Sequence, residues 1–149
     1  MLGLVDLGVL KMSSDLHNQL TRHEGLRLKP YRCTSGKLTI GIGRNLDDSG
    51  ISEREAELML ENDILKLFAV LPGKIDFFNE LDKVRADILV NMAFNMGVNG
   101  LLKFKKMLTA IDDGYFTRAA AEMLDSKWAF QVGDRALELA EQMKTGEYK

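Results

Sequence analysis

Glu24, Cys33 and Thr39 fall within one stretch, spaced Glu24-x8-Cys33-x5-Thr39, and each carries a group able to do chemistry. Breaking a glycosidic bond makes two demands: an acid must protonate the leaving oxygen, and a group on the other face must deliver water or steady the positive centre. Glu24 suits the first. Thr39 offers a hydroxyl that can orient a water, and Cys33 a thiol that can bond to that water or, as a thiolate, attack or assist. Each also has a plainer reading: a glutamate among arginines forms a surface ion pair, a strand threonine is only that, and a lone cysteine fills apolar space.

Local signals indicate what would hold these groups. Ser13-Ser14-Asp15 offers caps ahead of Leu16 and Leu20, and Gly25 suits a left-handed helix end, so Glu24 is expected at the end of a helix. From Lys29-Pro30-Tyr31 the helical period is gone. Leu38 to Ile42 alternates like a strand after a turn at Thr34 to Lys37, which predicts a hairpin or three-stranded sheet. Ser52 to Glu55 reads as a capping box, and Ala56, Met59, Leu60, Ile64 and Leu67 recur at helical spacing until Leu71-Pro72-Gly73. Beyond lie a short piece at 77–81 and helices expected over 82–96, 101–112, 115–124 and 134–144, closed by Gly97, Gly114 and Gly146. No internal repeat or low-complexity tract appears.

The fold class expected is α+β and mainly helical, one domain over 1–149 with two lobes. A small β-containing lobe with its linking helix would span about 25–72, and a helical bundle would combine 73–149 with the first helix at about 14–24. A cleft between such lobes is where polymers tend to bind.

A chain of 149 residues, 46% hydrophobic and 28% charged with two prolines, can bury a core of its own. One cysteine allows no internal disulfide, which suits folding in a reducing cytoplasm, and two histidines make a closed zinc site unexpected. The apolar opening Met1 to Leu10 is interrupted by Asp6 and is too short to span a membrane. It also lacks the basic start of a signal peptide, so it is expected to pack on the body or lie loose. The net charge of −2 names no partner, but its distribution is uneven. Between Arg22 and Arg44, six basic residues (Arg22, Arg27, Lys29, Arg32, Lys37, Arg44) stand against Glu24 alone, whereas Asn45 to Asp63 holds seven acids against Arg54.

The stretch from His23 to Gly43, with Glu24-x8-Cys33-x5-Thr39-Ile40-Gly41-Ile42-Gly43, resembles the active-site segment of the phage-type (T4-like) lysozymes. The resemblance continues through Asn91-Met-Ala-Phe-Asn-Met-Gly97 with Phe104, Ser126-Lys-Trp128-Ala-Phe-Gln131 with Asp134-Arg135-Ala136, and Lys144-Thr-Gly-Glu-Tyr148. It runs from about 16 to 148 and leaves out the first dozen residues. What it implies is a two-lobe glycoside hydrolase that cuts the β-1,4 bonds of bacterial peptidoglycan. In that reading Glu24 is the general acid, Thr39 positions water, and position 33 is the second catalytic group. Cys33 stands where an aspartate is often found, and members with cysteine here look like a branch of their own. Lys29, Arg32 and Lys37 would lower the thiol's pKa if they lie near it in space, and the same basic surroundings would oppose protonation of Glu24. The resemblance also puts Arg135 near the catalytic glutamate.

Phe94, Gln131 and Arg135 are the candidate substrate contacts. Against this, Met92, Phe94 and Met96 read equally as helix core, Gln131 and Arg135 as ties from the last helix to the body, and Trp128 as a buried structural residue. Lys103, Lys105 and Lys106 around Phe104 read as a solvated helix face, and no recognition helix for nucleic acid is evident. No metal or other cofactor is expected. The partner is the peptidoglycan glycan strand, with no nucleic acid, no stable membrane anchor and a monomeric state. The setting would be lysis of a host by a phage or prophage, with synthesis in the host cytoplasm and action on the wall after release through a membrane lesion. Two other functions remain open: a lytic transglycosylase, which can work with one glutamate, and a non-catalytic wall-binding or virion module.

Overall fold

The computed structural model describes residues 6–7, 10–11 and 13–148. The expectation for the opening decapeptide lies largely outside them; within it, β1 (Asp6–Leu7) pairs antiparallel with β2 (Leu10–Lys11). The chain divides into two compact units, Met1–Ala56 and Glu57–Lys149.

In the first unit, α1 (Ser14–Glu24) is capped by Ser13, whose hydroxyl accepts the amide of Leu16 at 3.1 Å. Gly25 ends it at φ 74°, and its amide donates to the Thr21 carbonyl, so Glu24 is the last helical residue, as the sequence predicts. β3 (Arg27–Arg32), β4 (Leu38–Gly41) and β5 (Arg44–Asn45) follow as a three-stranded antiparallel sheet in that order. Arg27 faces Gly41 and Tyr31 faces Thr39, so β3 spends two more residues than β4 over the same interval. Pro30 lies in that interval and has no N–H to give a ladder, a position where a strand tolerates a bulge.

α2 (Glu53–Val70) starts on the capping box read from sequence: the Ser52 amide donates to Glu55 and the Glu55 amide to the Ser52 hydroxyl, at 2.7 and 3.2 Å. Its apolar residues do not all find cover. Ile64 and Leu67 pack against the helical core, but Met59 and Leu60 stay exposed, and no residue of α2 is fully buried.

The second unit continues with short 3-10 turns at Leu71–Gly73 and Phe78–Glu80, then α3 (Lys83–Met96), α4 (Val98–Leu102), α5 (Lys105–Asp112), α6 (Phe116–Leu124), α7 (Lys127–Val132) and α8 (Asp134–Thr145). α3 is the spine of the core, burying Ala86, Ile88, Leu89, Val90, Met92 and Ala93, while α6 packs on α5 and α8. Two departures from the sequence reading stand out. The single helix expected over 101–112 is two helices, because Lys103 and Phe104 make tight i to i−3 bonds to Gly100 and Leu101, and Phe104 turns edge-on to Trp128 at 6.0 Å. The unpredicted α7 has only six residues; Ser126 caps it and Gly133 ends it. No helix among the described residues is long and apolar enough to cross a membrane.

Candidate active site

Strand register gathers Thr39 and Cys33. Tyr31 sits opposite Thr39, and the amide of Cys33, one residue beyond β3, donates to the Lys37 carbonyl at 3.0 Å. Alternation along a strand then puts Tyr31, Cys33 and Thr39 on one face and Arg32, Leu38 and Ile40 on the other. Thr39 is buried, at 4% exposure, and its hydroxyl donates to the Lys37 carbonyl at 3.0 Å while lying within hydrogen-bonding reach of the Cys33 thiol. The hydroxyl has one proton, so bonding a thiolate means turning away from Lys37.

Cys33 is half-buried, and its Sγ lies 3.1 Å from the Ser35 hydroxyl. That hydroxyl, together with the Ser35 backbone, is the main reason the thiol is lowered from 9.0 to about 7; the Lys37 backbone and Thr39 add to it, and partial burial opposes it. Two of the three basic residues expected to do this are engaged elsewhere. Lys37 pairs with Asp48 at 3.0 Å, and Arg32 donates to the Gly36 carbonyl at 2.9 Å. Ser35 was not singled out by the sequence reading; its signal is a hydroxyl two residues beyond the cysteine in the tight turn that Gly36 closes at φ 79°.

Glu24 is exposed at the end of α1 and makes no ion pair among the described residues. Of the basic residues in the same stretch, Arg27 lies over the Tyr31 ring at 4.4 Å and Arg44 is bound to Glu55 at 2.6 Å. Glu24 lies close against Gly43, at the turn between β4 and β5. A Cβ on Gly43 would lie 2.7 Å from Oε2 of Glu24.

The other candidates belong to the second unit. Phe94 is 48% exposed, which sets aside its core reading, whereas Met92 of the same helix is fully buried. Phe94, Asn91 and Arg135 line one wall of a groove of about 630 Å³ whose apolar side includes Leu60, Ile64 and Phe68. Arg135 reaches from α8 to α3, where Nη2 and Nε donate to Asn91 Oδ1 at 2.8 and 3.0 Å, so it both ties the helices and faces the groove. Gln131 is exposed on α7. Trp128 is buried, donating through Nε1 to Asn95 at 2.8 Å, in keeping with the structural reading. Lys103, Lys105 and Lys106 do not share one helix face: the break at Phe104 turns them toward a separate hollow of about 450 Å³ beside Trp128. Among the described residues no cluster of three or more His, Cys, Asp or Glu side chains is arranged to hold a metal.

Residues 21–144 match the protein family described as Phage lysozyme. Among relatives, the chain is 29% identical to "Probable T4-type lysozyme 1" of Dictyostelium discoideum, over 91% of this chain and 96% of that one. It is 32% identical to an "Endolysin" of Acyrthosiphon pisum secondary endosymbiont phage 1, over 74% of each. It is 30% identical to the "Pre-baseplate central spike protein" of Enterobacteria phage T4, covering 85% of this chain but 27% of that one. A mainly helical α+β chain with a small antiparallel sheet and these relatives is a glycoside hydrolase, a peptidoglycan hydrolase of lysozyme type. It belongs to the phage lysozyme family.

Proposed function

We propose that this chain is an N-acetylmuramidase that hydrolyses the β-1,4 bond between N-acetylmuramic acid and N-acetylglucosamine and lyses a host cell for a phage or prophage. Glu24 gives its proton to the leaving glycosidic oxygen. Thr39 orients a water through a lone pair left free by its bond to Lys37. As that water adds to the anomeric carbon, its proton passes to the Cys33 thiolate. The observation that carries the reading is one continuous segment, α1 through β5, holding an exposed carboxylate at a helix end and a thiol of pKa about 7 beside a buried threonine. Phe94 and Arg135, which line one groove, and Gln131 serve as contacts to the glycan.

A water that adds directly to the anomeric carbon, with no bond between enzyme and sugar, makes this a single displacement with inversion.

Turbidity of purified cell walls tests the reading. Glu24→Gln should clear them more slowly by a factor on the order of 10² to 10⁴; equal rates for the two proteins would refute the role. Mass spectrometry of the fragments separates hydrolysis from transglycosylation, since only the latter leaves 1,6-anhydro ends. The likeness to the central spike protein favours one second setting, a module carried in a virion, which predicts that the chain is found in purified particles.

A further inference from the structure

Nine glycines among the described residues have positive φ, and at seven of them, Gly41 included, nothing lies within 4 Å of an added Cβ, while at Gly146 it would meet the Arg85 guanidinium. Gly43 differs. At φ +72° it sits against the end of Glu24: a Cβ there would lie 2.7 Å from Oε2, 2.9 Å from Cδ and 3.0 Å from Cγ. We propose that Gly43 is a positioning residue, whose missing side chain is the seat that holds the Glu24 carboxylate where it reacts.

The three distances carry the argument together. Rotation of the carboxylate about Cγ–Cδ would move Oε2 out of the way but leave Cδ and Cγ where they are, so a methyl group at position 43 forces Glu24 into another rotamer. The backbone on the other side of the contact has little room to give, because β4 and β5 pair across this turn with Ile40 opposite Arg44 and Thr39 opposite Asn45. At its own end Glu24 is fixed by Gly25, which stops α1 and starts the run into β3. The glutamate is thus held between a helix end and a glycine turn, with no ion pair among the described residues to hold its carboxylate instead.

Gly41 supplies the control. It has nearly the same backbone, φ +69°, in the same sheet, yet nothing lies within 4 Å of a Cβ placed there. Gly41→Ala and Gly43→Ala therefore share the left-handed strain and differ in the collision with Glu24.

The proposal rests on Glu24 being the acid, and the test keeps the two apart. Gly41→Ala and Gly43→Ala are made in the full chain, each with Glu24 and with Glu24→Ala, and melting temperature and wall hydrolysis are measured. The loss of Tm caused by Gly43→Ala should shrink once Glu24→Ala removes the obstacle, while that of Gly41→Ala should be the same in both backgrounds. With Glu24 present, Gly43→Ala should lower kcat on the order of a hundredfold with little change in KM, and shift the pH profile of kcat, because the carboxylate reacts from a displaced position. If Gly43→Ala does not fold alone, the double variant with Glu24→Ala should fold. Equal Tm losses in both backgrounds, or an unchanged kcat for Gly43→Ala, would overturn the seat even if Glu24→Ala is inactive. A full coupling in Tm with an active Glu24→Ala would instead overturn the acid role and, with it, the catalytic meaning of the seat.

Discussion

Arg44 and Glu55 form a two-pronged ion pair, Nη2 to Oε1 at 2.6 Å and Nη1 to Oε2 at 2.8 Å, and Oε2 accepts the Ser52 amide as well. A helix cap and the last strand of the sheet thus share one carboxylate. The basic stretch and the acidic stretch that follows it in sequence are stitched together here and at Lys37–Asp48.

This arrangement makes the first unit sensitive to acid. Arg44 and the Ser52 amide hold Glu55 down from 4.5 to about 2. A carboxylate depressed on folding contributes stability that is full above pH 4.5 and is lost as the pH falls toward 2. Arg44→Met should therefore melt lower than the parent chain at pH 6, and the gap should close between pH 4.5 and 2. A gap in Tm independent of pH, read by calorimetry, would refute the linkage.

The Cys33 thiolate should form with a midpoint of about 7, seen in its ultraviolet absorbance and in the rate of alkylation. Because Ser35 is the largest cause, Ser35→Ala should move that midpoint up toward 9.0. An unmoved midpoint would show that another group sets it.

Replacement of Cys33 probes the water side. Cys33→Asp should retain activity, since a carboxylate can also take the proton of water, whereas alkylation of Cys33 should inhibit. Full activity in Cys33→Ala would remove the thiol from the mechanism. Proton NMR of freshly cut oligosaccharide should show the α anomer first, and prompt appearance of the β anomer would replace the single displacement with a retaining mechanism.

Arg85 ties the second unit. Its Nε donates to the Met143 carbonyl at 2.8 Å and its Nη2 to that of Lys144 at 3.0 Å, its Nη1 pairs with Asp82, and its guanidinium lies 3.5 Å above the Phe116 ring. Arg85→Met should cost about 2–4 kcal/mol by losing charged hydrogen bonds and the cation–π contact. Urea unfolding checks this, and a loss within about 0.5 kcal/mol, the range of a neutral surface change, would refute it.

Much of the chain was legible because its signals are local. Ser13, Asp82 and the Ser52 to Glu55 box bond to amides within three residues, and Gly25, Gly97 and Gly146 end helices because φ > 0 strains any residue with a Cβ. The spacing of Glu24, Cys33 and Thr39 could be seen for the same reason, since a helix end, a strand and the turn between strands are set by their own residues.

What sequence could not decide depends on partners far along the chain. Met59 and Leu60 keep a helical period with Ile64 and Leu67, yet only the latter two meet the core, and Phe94 shares a helix with buried Met92 but stays exposed. Nothing local says that Arg135 will be met by Asn91, or that Lys37 and Arg32 will turn to Asp48 and Gly36 and leave Ser35 to tune the thiol. Position 24 was read from sequence as a candidate acid; that its carboxylate lies close against a glycine nineteen residues later is a matter of close approach, which only the folded sheet could decide.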